Sequence, residues 1–168
     1  MMANFDWQRF SVRINIKNAN SEKLYRAWAT RSGIEFWFLR MSEYKQPDGT
    51  LRGDNELVQT GDTYTWRWHG WSDATTETGE ILDCNGKDFF KFKFGNAGNC
   101  TVKIYEEQGE AIVDLMQDEI PTDDAAKASW HIGCKTGWTF YLANMKSLFE
   151  GGIDLRNRNE QLQNVISA

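Results

Sequence analysis

The chain has 168 residues, with 24 acids against 19 bases and a formal charge of −5 at pH 7. No block of Lys or Arg supplies the electrostatic footprint of a nucleic-acid binder, and an anionic membrane surface repels the chain weakly. No stretch approaches the ~18–20 apolar residues that span a bilayer, and MMANFDWQRF lacks a signal-peptide core, so the length reads as one domain over 1–168.

FSVRINIK (10–17) alternates as a strand, with Phe10, Val12, Ile14 and Ile16 inward. Asn20 or Ser21 caps a short helix whose Leu24, Tyr25 and Trp28 share a face, and Thr30 caps a second one holding Ile34, Trp37 and Phe38. From about residue 40 to 119 the pattern is all strand, punctuated by Pro47-Asp48-Gly49, Asn85-Gly86, GNAGN (95–99) and Gln108-Gly109. TYTWRWHGW (63–71) splits by parity: Tyr64, Trp66, Trp68 and Gly70 on one face, Thr63, Thr65, Arg67, His69 and Trp71 on the other. A longer strand follows over 74–83. KDFFKFKF (87–94) turns Phe90, Phe92 and Phe94 one way, and CTVKIYEE turns Val102 and Ile104 inward. After Pro121, Thr122 caps an uninterrupted helix that runs to Glu150 and ends at Gly151-Gly152. The core spans about 10–150, and 151–168 is a polar tail forming at most a loose turn or helix.

Short turns between strands make the sheet an antiparallel meander with one apolar face, and only the final helix is long enough to cover it. The expected fold is α+β: a curved sheet of six or seven strands wrapped on a long C-terminal helix, with two short helices after the first strand. On that helix Trp130, Cys134, Trp138, Tyr141, Met145 and Leu148 form one stripe. Gly133 and Gly137 each cost ~1 kcal/mol relative to alanine, so either the backbone is approached closely there or space is being left. A single helix does not fill the hollow of a strongly twisted sheet. The rings facing it serve as core alone, or as core that also lines a small-molecule pocket. The residues placed to touch a ligand are Tyr64, Trp66, Trp68, Phe92, Trp138, Tyr141 and Met145.

GWTFYLANMKSLFEGGIDLR (137–156) resembles the signature G-W-x-x-x-L-x-x-L-K-x-x-x-E-x-G, with Met145 where that pattern has leucine. SEKLYRAWAT (21–30), followed by Trp37-Phe38, is similar to the N-terminal helix and W-F pair of the same proteins, and GDTYTWRWHG and TGEIL match their middle strands. Over about residues 10–156 the chain thus resembles the bacterial proteins named after the activator of the 90-kDa heat-shock protein's ATPase, in the START-like (SRPBCC) helix-grip superfamily. The resemblance implies a sheet wrapped round the C-terminal helix and a hydrophobic cavity between them. It also raises a chaperone as partner, although the eukaryotic co-chaperones engage theirs through an additional N-terminal domain without a counterpart in this sequence.

Chemistry is sparse. His131 beside Trp130 reads as a capping or solvent-facing residue, and His69 lies on the non-aromatic face. No metal-ligand spacing, nucleophile elbow or phosphate loop occurs, so no catalytic residue, metal or cofactor is assigned. Asp114 and Glu80 read as outward, and Arg67 as paired with a neighbouring carboxylate. Cys84, Cys100 and Cys134, odd in number and without C-x-x-C spacing, read as reduced thiols of a cytoplasmic protein. Three functions follow: a binding module for a small hydrophobic or amphipathic ligand, a chaperone-linked interaction protein, and a cyclase- or hydrolase-type enzyme needing a polar group of perturbed pKa in the cavity.

Overall fold

Alternating side chains commit each strand to one wet and one dry face, and in the computed structural model, which describes residues 4–166, seven such strands share one sheet. They are β1 (Phe10–Ile16), β2 (Met41–Lys45), β3 (Thr63–Arg67), β4 (Thr76–Cys84), β5 (Phe89–Lys93), β6 (Asn99–Glu107) and β7 (Glu110–Asp118). The order is β1-β7-β6-β5-β4-β3-β2 with every pair antiparallel, so β2 to β7 form a meander and β1 closes on the last strand. β1 and β2 are therefore opposite edges. The chain passes between them as α1 (Ser21–Ala29) and α2 (Arg31–Trp37). Asn20 caps the first through the Lys23 N–H at 2.8 Å, and Thr30 caps the second through the Gly33 N–H at 3.0 Å.

The core lies between the sheet's dry face and the C-terminal helix. Trp28, Trp37, Trp66, Phe90 and Phe92 are wholly enclosed, and Trp138, Tyr141, Leu142 and Met145 meet them from the helix. The outward readings hold: Arg67 pairs with Asp73 at 3.3 Å, Glu80 is exposed, and Asp114 accepts the Tyr105 hydroxyl at 3.1 Å.

The final helix departs from the expected uninterrupted run. Asp123, not Thr122, is its cap, accepting the Ala126 N–H at 3.0 Å. One turn of α3 (Asp124–Ala126) leads into a π-helical segment, Lys127–Ile132, and then α4 (Gly133–Phe149). A π turn holds one residue more than an α turn, so the faces upstream of Gly133 rotate away from the stripe below it. His131 shows the effect. Expected at a cap or in solvent, it is buried among Phe5, Trp7 and Phe10, with Nδ1 2.9 Å from the Trp7 carbonyl.

The tail likewise departs from a loose turn or helix. Residues 152–159 are irregular, yet Arg156 is buried and Leu155 donates its N–H to the Asn144 amide oxygen at 2.7 Å. Asn144, itself enclosed by α4, donates in turn to the Trp37 carbonyl at 2.7 Å. Tail, α4 and α2 are thereby joined by one side-chain amide.

Candidate functional site: a ring-lined groove at the helix glycines

The two helical glycines settle which of their readings applies. Among the described residues, a Cβ built on Gly137 meets nothing within 4 Å, and one on Gly133 meets only the Ala128 carbonyl, at an ordinary 3.6 Å. Space is left there. It forms a groove of about 180 Å³, walled by Phe38, Trp68 and Phe94 on one side and by Ser129, Gly133, Cys134, Gly137, Trp138 and Tyr141 on the other. The π segment contributes Ser129 and runs directly into the glycines. An adjoining cleft shares Gly133, Gly137 and Tyr141 with the groove and is bounded by Asn164, Val165 and Ile166 of the tail.

Of the seven residues expected to touch a ligand, Trp68, Trp138 and Tyr141 come together in this groove. Tyr64, Trp66, Phe92 and Met145 lie in the core beneath it, each at most 2% exposed. The space between Trp66 and Trp138 is filled: Phe38 stands 5.6 and 4.9 Å from them, centroid to centroid, and Phe92 5.2 and 6.2 Å. Helix and sheet therefore interlock at the centre, and the opening is confined to one end, where Trp68 follows β3 and Phe94 follows β5.

Polar groups near the groove are largely engaged. The Trp138 indole N–H donates to Gln117 Oε1 at 2.9 Å, Gln117 Nε2 donates to the Ala97 carbonyl at 2.8 Å, and Cys100 Sγ lies 3.5 Å from the same Oε1. Gln117 is fully buried and holds one of the groove's two indoles in place, a role that its position in EAIVDLMQ does not announce. The Tyr64 hydroxyl donates to the Lys93 carbonyl. Burial pushes the Cys134 thiol up, with the Gln117 side chain opposing and the Glu77 charge adding to it. His69, half-buried just past Trp68, is held below its ordinary value by burial and then by Arg156 and Arg158. Among the described residues no group of three or more His, Cys, Asp or Glu side chains is placed to hold a metal.

One inward carboxylate escaped the sequence reading. Glu77 pairs directly with Trp66 across β3 and β4, which puts both on the concave face. Burial raises its pKa, with the Thr78 backbone N–H partly opposing. The signal is the two-residue step back from Ile81 through Gly79, the same parity that turns Glu80 outward.

Among the described residues no helix is long and apolar enough to cross a membrane. No curated protein matches the sequence. Solved structures do match in fold. The crystal structure of SSP2350 from Staphylococcus saprophyticus aligns with TM-score 0.68 at 18% identity, over 89% of this chain and 96% of that one. The solution structure of the Aha1 dimer from Colwellia psychrerythraea gives 0.64 at 18%, over 86% and 97%. MLL2253 from Mesorhizobium loti gives 0.64 at 14%, over 85% and 97%. At these identities the likeness is one of fold, the helix grip of sheet on long helix. The family model described as Activator of Hsp90 ATPase homolog 1-like protein matches residues 18–150, from the approach to α1 to the end of α4, and the chain belongs to that family.

Proposed function

We propose that the protein is a cytoplasmic binding module that takes a small apolar or amphipathic molecule into the groove between Trp68, Phe94 and α4. The observation that carries this reading is Gly137, where a helix gives up side-chain volume and no other described residue fills the space. Burial of an apolar group against these rings supplies ~25 cal/mol per Å² of area removed from water. About 150 Å³ suffices to hold a benzene ring, so the groove suits an aryl or short alkyl group. The core side chains of Tyr64, Trp66, Phe92 and Met145 then act by fixing the floor, while Trp68, Trp138 and Tyr141 make the contact.

The test is titration with 1-naphthol, followed by tryptophan fluorescence. Saturable binding that is lost in Gly137→Leu, whose side chain occupies the groove, supports the module. Unchanged fluorescence, or binding that Gly137→Leu leaves intact, removes it. A chaperone-linked role is the second reading. It draws on the family match alone, and capture of the purified 90-kDa chaperone by the immobilised chain would favour it.

A further inference from the structure

Glu77 stands opposite Trp66 in the β3–β4 pairing, on the face that holds the groove. Its carboxylate lies over the backbone of Gly95, where an added Cβ would come 2.5 Å from Oε1. Gly95 directly follows Phe94, one wall of the groove, and the Glu77 charge is felt at Cys134, on the opposite wall. The carboxylate therefore stands next to Phe94, at the strand-side wall of the groove.

Nothing in the described fold balances it. Among the described residues no Lys, Arg or His nitrogen lies within 4.0 Å of it, and its one hydrogen-bonding influence is the Thr78 backbone N–H. The neighbouring basic residue on the paired strand, Arg67, points to the other face and is taken by Asp73 and Thr76. Several enclosed carboxylates of the chain do have cations: Asp62 is gripped by Arg52 at 2.7 Å, Asp154 by Arg156 at 2.8 Å and Glu150 by Lys146 at 2.7 Å. A partly desolvated charge without a partner is destabilising unless something bound supplies the opposite charge.

We propose that Glu77 is the recognition group of the groove, and that the ligand is an organic ammonium. Its apolar part lies among Trp68, Phe94 and Trp138, and its charged end meets the Glu77 carboxylate. The inference rests on the groove being a binding site and names the class of molecule that fits it. Ring faces favour a cation as well as apolar contact, a charged hydrogen bond sets its orientation, and the chain's net charge of −5 draws cations toward it. A carboxylate ligand of the same shape would meet Glu77 as a like charge.

The experiment titrates the full chain with 2-phenylethylammonium, with 2-phenylethanol as its neutral counterpart and with 3-phenylpropanoate as the anion, reading the indole N–H resonances of Trp68 and Trp138. The expected result is an ammonium affinity about tenfold above that of the alcohol, with the propanoate weaker than both. In Glu77→Gln the ammonium falls to the level of the alcohol, whose own affinity stays the same and certifies the fold. Should that variant fail to fold, the ranking of the three probes on the unaltered chain decides. Equal affinities for ammonium and alcohol, or a preference that survives Glu77→Gln, overturn the ammonium inference and leave the groove standing. Silence from all three probes removes the groove as well.

Discussion

Arg156 closes the end of α2 by donating from Nη2 to the Phe36 carbonyl at 2.8 Å, while its Nη1 reaches the Glu35 and Leu39 carbonyls at 2.9 and 3.2 Å. Asp154 holds the guanidinium from the other side, and its carboxyl is kept well below the usual range mainly by hydrogen bonding to Arg156. Arg156→Ala leaves three carbonyls without their donor and Asp154 with Arg158 alone as its basic partner. Urea denaturation is expected to show a loss of about 3 kcal/mol. Arg156→Lys recovers less than half of this, because a point charge does not span three acceptors. A loss under about 0.5 kcal/mol would show the cap to be dispensable.

Gly137→Ala is expected to stabilise the fold by about 0.5–1 kcal/mol, since the new methyl meets no described residue and the unfolded chain loses freedom. Thermal unfolding checks it. Destabilisation would mean that another part of the chain closes on the helix there in solution.

Trp66 and Trp68 lie two residues apart on one face but do different things. Trp66→Ala opens the interlocked core and costs about 3–5 kcal/mol. Trp68→Ala, at a half-buried groove wall, costs less than about 1.5 kcal/mol and abolishes 1-naphthol binding. Equal stability losses in the two variants would contradict the division between floor and wall.

Glu77 gives stability a pH dependence of definite sign. Its folded pKa lies above the ordinary 4.5, so the native chain holds this proton more tightly than the unfolded chain. The contribution is fully present below pH 4.5 and is lost as pH rises through the folded value. The difference in unfolding free energy between Glu77→Gln and the unaltered chain should therefore grow in favour of Gln above that pH and then level off. Asp73, Glu150 and Asp154, whose pKa values are lowered by basic partners, act in the opposite direction at lower pH, and they cancel in the comparison. A flat difference between pH 4 and 7 would refute the assignment.

Period-two and period-3.6 patterns made most of the fold legible. Phe10 to Ile16, Trp66, and the stripe from Cys134 to Leu148 need no tertiary information to choose a face. What escaped depends on geometry that carries no period. The extra residue in the π turn re-phases His131, and the irregular tail gives no sign that Arg156 will find backbone carbonyls some 120 positions earlier. At the site, Gly133 and Gly137 marked the position of the groove but left its nature open. The side chains of Tyr64, Trp66, Phe92 and Met145 could not be separated from those of Trp68 and Trp138, because parity reports the face and not the depth. The pairing of Glu77 with Trp66 depends on a register set across a loop of eight residues, 68–75, whose length does not follow a tight-turn rule.

The closure of β1 on β7 has a consequence for biosynthesis. Phe10 pairs with Gln117 and Ile16 with Ala111, so β1 waits for β7, the last strand of the sheet to be made, before it acquires a neighbour. Through most of translation its ladder groups stay open to other chains. Arg13 on that strand and Lys17 just after it put positive charge where two nascent copies would otherwise zip together, a safeguard useful for as long as elongation lasts.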